Sequence, residues 1–281
     1  MIEPREVQTA AAVAAHYDEL DPFYREIWGR HVHHGYWATG RETPEQAVEA
    51  LVDLLAERLG LAQGQRACDV GCGYGATAVY LAERHGVLVT GVTISPVQAE
   101  RARVAAAGHK GVAVTCRDWL SNGFEDAVFD RVYAIESSEH MVDKERFFRE
   151  AFRTLRPGGR LGVLAWLARE GARDWEVRRL LEPICREGRL SGMGTESDYR
   201  ELARQAGFRV AGFEDLSRQV RRTWTVCARR LAGKLATDRA YRRFLMDGRS
   251  RNRAFALSLA RIAVAYRTGS MRYGLLTADK P

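Results

Sequence analysis

Apolar residues recur at intervals of three and four through TPEQAVEALVDLLAERL (43–59), behind a threonine and with proline at the first helical position. This predicts a helix capped by Thr43. The period then changes. RACDVGCGYG is a short apolar run ending in an aspartate and glycines, and ATAVYLAERHG restores helical spacing up to Gly86. Strand, glycine turn and helix are predicted in that order. The unit repeats: VLVTGVTI reads as a buried strand, SPVQAERARVAAAG as a helix capped by Ser95, and GVAVTCRDWL as a third strand. FDRVYAIES supplies a fourth strand, KERFFREAFRTLRP a helix, and GGRLGVLAWL a fifth strand behind a Pro-Gly-Gly turn.

Repeated βα units specify a parallel sheet with helices on both faces, because right-handed crossovers bury each strand between them. Beyond residue 168 the pattern becomes mostly helical and rich in arginine, with AGFRVAGFEDLS and SMRYGLLTADKP as two further strands. The predicted fold class is α/β: a doubly wound, mostly parallel, seven-stranded sheet with a helical cap.

Composition narrows the function. With 281 residues and 46% hydrophobic positions, the chain can bury a substantial core. No window approaches the length of a membrane span, and the N-terminus has an acidic residue where a signal peptide is basic, so a cytoplasmic protein without stable membrane insertion is expected. The net charge of +7 comes mainly from arginines interspersed with Glu and Asp rather than clustered. That reads as a solvated helical surface with room for an acidic substrate, and no nucleic-acid partner is expected. The five cysteines form no CxxC or Cys/His spacing, and His31, His33 and His34 lack the i, i+4 geometry of a helical zinc site. Neither disulfides nor a metal are expected.

The strongest chemical signal is Asp69-Val70-Gly71-Cys72-Gly73-Tyr74-Gly75 at the end of the first strand. Glycines there let the backbone approach a ligand, the following helix offers unpaired amides, and Asp69 can accept from a cationic group. Its GxGxG spacing, without a carboxylate closing the second strand, departs from the GxGxxG pattern of nicotinamide dehydrogenases. DVGCGYG resembles the nucleotide motif of class I S-adenosylmethionine methyltransferases, and FDRVYAIESSEHM followed by LRPGGRLGV resembles their later motifs in order and spacing. VTGVTISPVQAERA is similar to the branch containing tocopherol methyltransferases, related alkaloid N-methyltransferases and mycolic acid cyclopropane synthases. DLSRQVRRTW and MRYGLLTADKP extend that resemblance over nearly the whole chain.

The resemblance implies S-adenosylmethionine as cofactor, with S-adenosylhomocysteine as product, bound by Asp69, Gly71, Gly73 and Gly75. It places Thr93 at the adenosine and Gln98 at the ribose. Asp118 and Trp119 fit the adenine as acceptor and cover, and read equally as a loop cap and a core aromatic. HHGYW resembles a lid over the cofactor, with Tyr17 and His33 facing its methionine end, although aromatic packing alone also accounts for these residues. Glu136 and His140 are the two candidate bases; a Glu in a similar context is the base of related prenyl diphosphate C-methyltransferases, and His140 also reads as a cap. The implied organisation is a lid over 1–42, a cofactor-binding core over 43–168, an acceptor-binding helical cap over 169–250 and a closing helix and strand over 251–281. The expected reaction is C- or N-methylation of a small aromatic or isoprenoid-derived molecule in specialised metabolism, by a monomer or homodimer. The alternatives are lipid modification of the cyclopropane synthase kind and a non-catalytic cofactor-binding protein.

Overall fold

The computed structural model describes residues 1–247 and 253–281 and contains one sheet in the order β3-β2-β1-β4-β5-β7-β6. The strands are β1 (Arg66–Val70), β2 (Leu88–Thr93), β3 (Val112–Cys116), β4 (Phe129–Ile135), β5 (Leu155–Ala168), β6 (Arg209–Asp215) and β7 (Met271–Asp279). β7 runs antiparallel to both β5 and β6, while the other pairs are parallel. The expected mostly parallel seven-stranded sheet is therefore present.

Helices α2 (Pro44–Leu59), α3 (Ala76–His85), α4 (Pro96–Ala106) and α5 (Lys144–Thr154) fall where the periodicity puts them. Their ends have identifiable partners. The Thr43 hydroxyl accepts from the Gln46 amide while the Gln46 side chain returns to the Thr43 amide. Ser95 and Asp143 cap α4 and α5 in the same way, accepting from Gln98 N–H and Arg146 N–H. Leu51, Leu55 and Leu59 of α2 pack with Tyr133, Leu164 and Trp166 on one face of the sheet. Phe147, Phe148 and Ala151 of α5 pack with Val132, Ala134 and Val163 on the other. Alternate residues of each strand thus enter opposite cores, as its pleat requires.

Three local expectations change. The N-terminal region holds a long helix, α1 (Ala10–Ile27), capped by Thr9 and carrying Pro22 inside it. The third strand stops at Cys116 rather than running to Leu120, because the Asp118 side chain accepts from Leu120 N–H and starts a 3₁₀ turn. Pro157-Gly158-Gly159 lies inside β5, where the Gly158 amide pairs with Lys280 O.

The chain between β5 and β7 is mostly helical. It comprises α6 (Asp174–Glu176), a π-helical turn (Val177–Leu181), α7 (Glu182–Glu187), α8 (Glu196–Gln205), α9 (Ser217–Val220), α10 (Arg222–Thr237), α11 (Arg239–Met246) and α12 (Arg253–Thr268). Arginines there meet carboxylates, as in Arg169–Glu176, Arg200–Glu196 and Arg261–Glu187. The expected cap boundary at 250 lies outside the described residues. Among those residues no helix is long and apolar enough to cross a membrane.

Candidate functional site

A cavity opens over the carboxyl ends of β1, β2 and β4, where a doubly wound sheet leaves a crevice. Nine of the expected residues line it: Tyr17, Gly71, Gly73, Thr93, Gln98, Asp118, Trp119, Glu136 and His140. α1 and the 31–37 segment form its roof, through Val13, Tyr17 and Val32.

The glycine turn divides its work. Gly71 has φ +81°, and a Cβ there would stand 2.3 Å from Ser137 Cβ, so this position is glycine because the β4 end packs against it. Gly73 has φ +51° and nothing within 4 Å of its absent Cβ, so the backbone itself faces the cavity. Gly75, by contrast, lies outside the lining: it starts α3 against Ala102 of α4.

Asp69 is also off the wall, buried one layer below. Register pairs it with Tyr133 across β1 and β4. Its Oδ2 makes no hydrogen bond within the chain, and burial lifts its pKa to about 7, with the Tyr133 hydroxyl opposing. A buried carboxylate oxygen without a donor, directly before a glycine turn facing a cavity, fits a cationic ligand group.

On the β2 and β3 side, Thr93 donates to Gln98 Oε1 at 2.9 Å, holding that amide at the start of α4. Asp118 spends Oδ1 on the Leu120 amide, and Trp119 is buried with its indole N–H on Phe147 O at 3.3 Å. Trp119 is thus a buried core aromatic that also lines the cavity. Thr93, Gln98, Asp118 and Trp119 could together hold a nucleoside.

His33 is not in the lining. Its Nδ1 donates to His34 O at 2.8 Å and its Nε2 lies 3.4 Å from Thr77 Oγ1, beside His31. The adjacent His34 turns toward Glu136 instead.

His140 has a defined tautomer. Its Nδ1 is 3.0 Å from Arg189 O, which can only accept, so Nδ1 carries the proton and Nε2 keeps its lone pair. The Tyr17 hydroxyl donates to that Nε2 at 2.9 Å. Burial lowers the His140 pKa to about 4, and Lys144 lowers it further while the Arg189 carbonyl and Glu136 oppose. Burial, with the Glu139 and Glu136 charges, raises Tyr17 well above a normal phenol. The pair is thus a neutral imidazole base bonded to a neutral phenol, facing the cavity.

Glu136 differs from the expected base. Its Oε1 accepts from His34 N–H at 2.7 Å and from the Tyr273 hydroxyl at 2.8 Å, and its Oε2 from the Trp166 indole at 2.8 Å. His34 Nδ1 stands 2.9 Å from Oε1. Burial alone would raise its pKa, but His34 and His33 outweigh it and hold the carboxylate at about 2. A carboxylate so engaged is a poor proton acceptor. Glu136 (φ +52°) and Arg189 (φ +58°) are two of three non-glycine residues with left-handed backbone among the described residues. Such strain is held in place where surroundings over-determine it.

Sequence reasoning missed Arg189, Trp166, Tyr273 and His34, whose partners lie far away along the chain. It also missed a second, apolar cavity, lined by Phe23, Tyr24, Ile27, Leu231, Tyr241 and Phe244 among others. The stacked rings of Tyr24 and Tyr17, 5.3 Å apart, stand between the two cavities.

The sequence profile of the mycolic acid cyclopropane synthetase family matches residues 5–273. Chloroplastic tocopherol O-methyltransferase from Arabidopsis thaliana is 31% identical, over 96% of this chain and 82% of that protein. The 27-O-demethylrifamycin SV methyltransferase of Amycolatopsis mediterranei (strain S699) is 34% identical, over 94% of this chain and 95% of its own. The solved structure of the [4+2]-cyclase SpnF superposes with a TM-score of 0.81 at 32% identity, covering 100% of this chain and 99% of that one. Other structures of the same fold were solved with S-adenosylmethionine or S-adenosylhomocysteine bound.

Proposed function

The chain belongs to the mycolic acid cyclopropane synthetase family and is an S-adenosylmethionine-dependent methyltransferase, and on that premise we propose that it methylates a hydroxyl of a small apolar acceptor. The observation that carries this reading is the neutral His140 imidazole, whose Nε2 lone pair accepts from the Tyr17 hydroxyl at the cavity wall. The two curated relatives described above, one an O-methyltransferase and one acting on an O-demethyl substrate, support oxygen as the accepting atom. The engaged state of Glu136 weighs against the carbon chemistry that needs a free carboxylate base.

S-adenosylmethionine, when bound, supplies a methyl group on a sulfonium. In our reading Asp69 holds the cationic amino end through the Gly71–Gly73 turn, Gln98 meets the ribose, and Asp118 and Trp119 meet the adenine. An acceptor hydroxyl bonded to Tyr17 passes its proton to the phenol oxygen as the phenol proton moves to His140 Nε2. Roof and walls exclude water and align the acceptor, which is the larger part of catalysis for an in-line displacement. The second cavity, between α1 and the cap helices α10 and α11, takes the apolar body of the acceptor in this scheme.

The deciding experiment is transfer of labelled methyl to phenols, macrolide-type alcohols, prenyl diphosphates and amines, with the product position determined. Label on oxygen is expected; label on carbon alone would refute the His140 scheme.

The Asp69 assignment makes its own prediction. In the free protein burial holds this carboxyl near pKa 7, whereas a cationic partner favours the ionised form. Cofactor binding should therefore release a proton below about pH 7, with affinity rising by up to about tenfold per unit as pH increases and levelling above it. Calorimetry in buffers of different ionisation enthalpy would measure this. Asp69→Asn should bind more weakly and lose the slope, and an unchanged slope in that variant would remove Asp69 from the site.

A further inference from the structure

The donors on Glu136 belong to three separate elements: His34 in the roof segment, Trp166 in β5 and Tyr273 in β7. Trp166 and Tyr273 are register partners across the β5–β7 ladder, so the sheet presents both from one rung. These three hydrogen bonds use most of the roughly four acceptor sites of a carboxylate. His34 is two residues from Val32, which lines the cavity. Two further contacts tie the same segment to the cap, Gly35 N–H to Thr223 Oγ1 at 3.0 Å and Trp37 N–H to Gln219 O at 3.2 Å. Both are neutral hydrogen bonds, whereas the Glu136 carboxylate makes the charge-assisted and stronger kind.

We infer that Glu136 is a positioning residue, a fixed carboxylate latch that holds the 31–37 segment closed over the cavity, and not the proton acceptor of the reaction. The inference rests on the reading that this cavity takes S-adenosylmethionine. Glu136 holds left-handed backbone at the end of β4 while its carboxylate is bonded to the roof and to the β5–β7 rung together.

The test uses the full chain with Glu136→Gln, which keeps the side-chain size but replaces one acceptor oxygen with a donor NH₂ among three donors. It reads KM for S-adenosylmethionine, kcat at saturating cofactor with its pH profile, and tryptic cleavage after the exposed Arg30 and Arg41 with and without S-adenosylhomocysteine. The latch requires KM to rise at least tenfold, protection by S-adenosylhomocysteine to be lost, and kcat to stay within a few fold on an unchanged profile. A hundredfold fall in kcat with KM and cleavage as in the parent would make Glu136 the base and overturn the inference. Tyr273→Phe removes one donor without touching the charge and should move KM and cleavage the same way by less. If Glu136→Gln does not fold, Tyr273→Phe decides, and unchanged KM and cleavage there would overturn the latch. Gly73→Val separates the two readings: cofactor affinity intact in that variant removes the cavity assignment, whereas a failed latch leaves its effect standing.

Discussion

His140→Gln is expected to lower kcat by about two to four orders of magnitude while leaving the KM for S-adenosylmethionine close to that of the parent, the loss typical of removing a positioned base. Glutamine can still donate to Arg189 O and stay near Tyr17, so the contact survives while the basic lone pair is gone. In the parent, burial keeps the imidazole neutral down to about pH 4, so kcat at saturating S-adenosylmethionine, which is free of the Asp69 effect on cofactor affinity, should be flat from neutrality to roughly pH 5 and fall only below that. An acid limb centred near 6.5 would mean that the working base is not this buried imidazole. Stability gives an independent check. The unfolded chain protonates His140 below its ordinary 6.5 while the folded chain resists to about 4, so stability present above 6.5 is lost as pH falls through that window. The variant should lack that loss, worth roughly 3 kcal/mol at most at the acid end. Asp69 and Glu139, lifted to about 7 by burial, favour the folded state in the opposite direction, so the difference between parent and variant isolates His140.

The second large effect separates two glycines of one motif. Gly71→Ala should lower the melting temperature by on the order of 10 °C: left-handed backbone costs an alanine about 1–2 kcal/mol, and crowding Ser137 adds about 1–3. Gly73→Ala meets open space, so it should lose only the backbone share, about 1 kcal/mol, yet weaken cofactor binding at least tenfold because its methyl enters the cavity. Thermal denaturation and cofactor titration on both variants decide. If Gly71→Ala melted like the parent, or Gly73→Ala bound cofactor like the parent, the division of labour proposed for the turn would be wrong.

The βα alternation was readable because the buried strands are apolar runs and α2, α4 and α5 begin at side-chain caps, both local properties. DVGCGYG was readable for the same reason. α1 was not, since it buries His16 and Asp21 among its apolar residues and contains Pro22, so its periodicity is blurred. His33 was assigned a place at the cavity, but its ring turns instead to His34 O and to Thr77, the latter far away in the sequence. Glu136 was correctly put at the cavity, but its partners sit 102, 30 and 137 positions away, and only the fold reveals that they occupy the carboxylate.

β7 lies between β5 and β6, yet it leaves the ribosome after both. Until it emerges, β5 and β6 must wait with unpaired edges, and Glu136 lacks the Tyr273 hydroxyl. The nascent chain therefore exposes two open strand edges, the kind of surface that invites chaperone capture and aggregation. Expression yield should consequently depend on how fast translation runs through the codons of 253–279, with pauses there lowering the soluble fraction more than equal pauses upstream of β5.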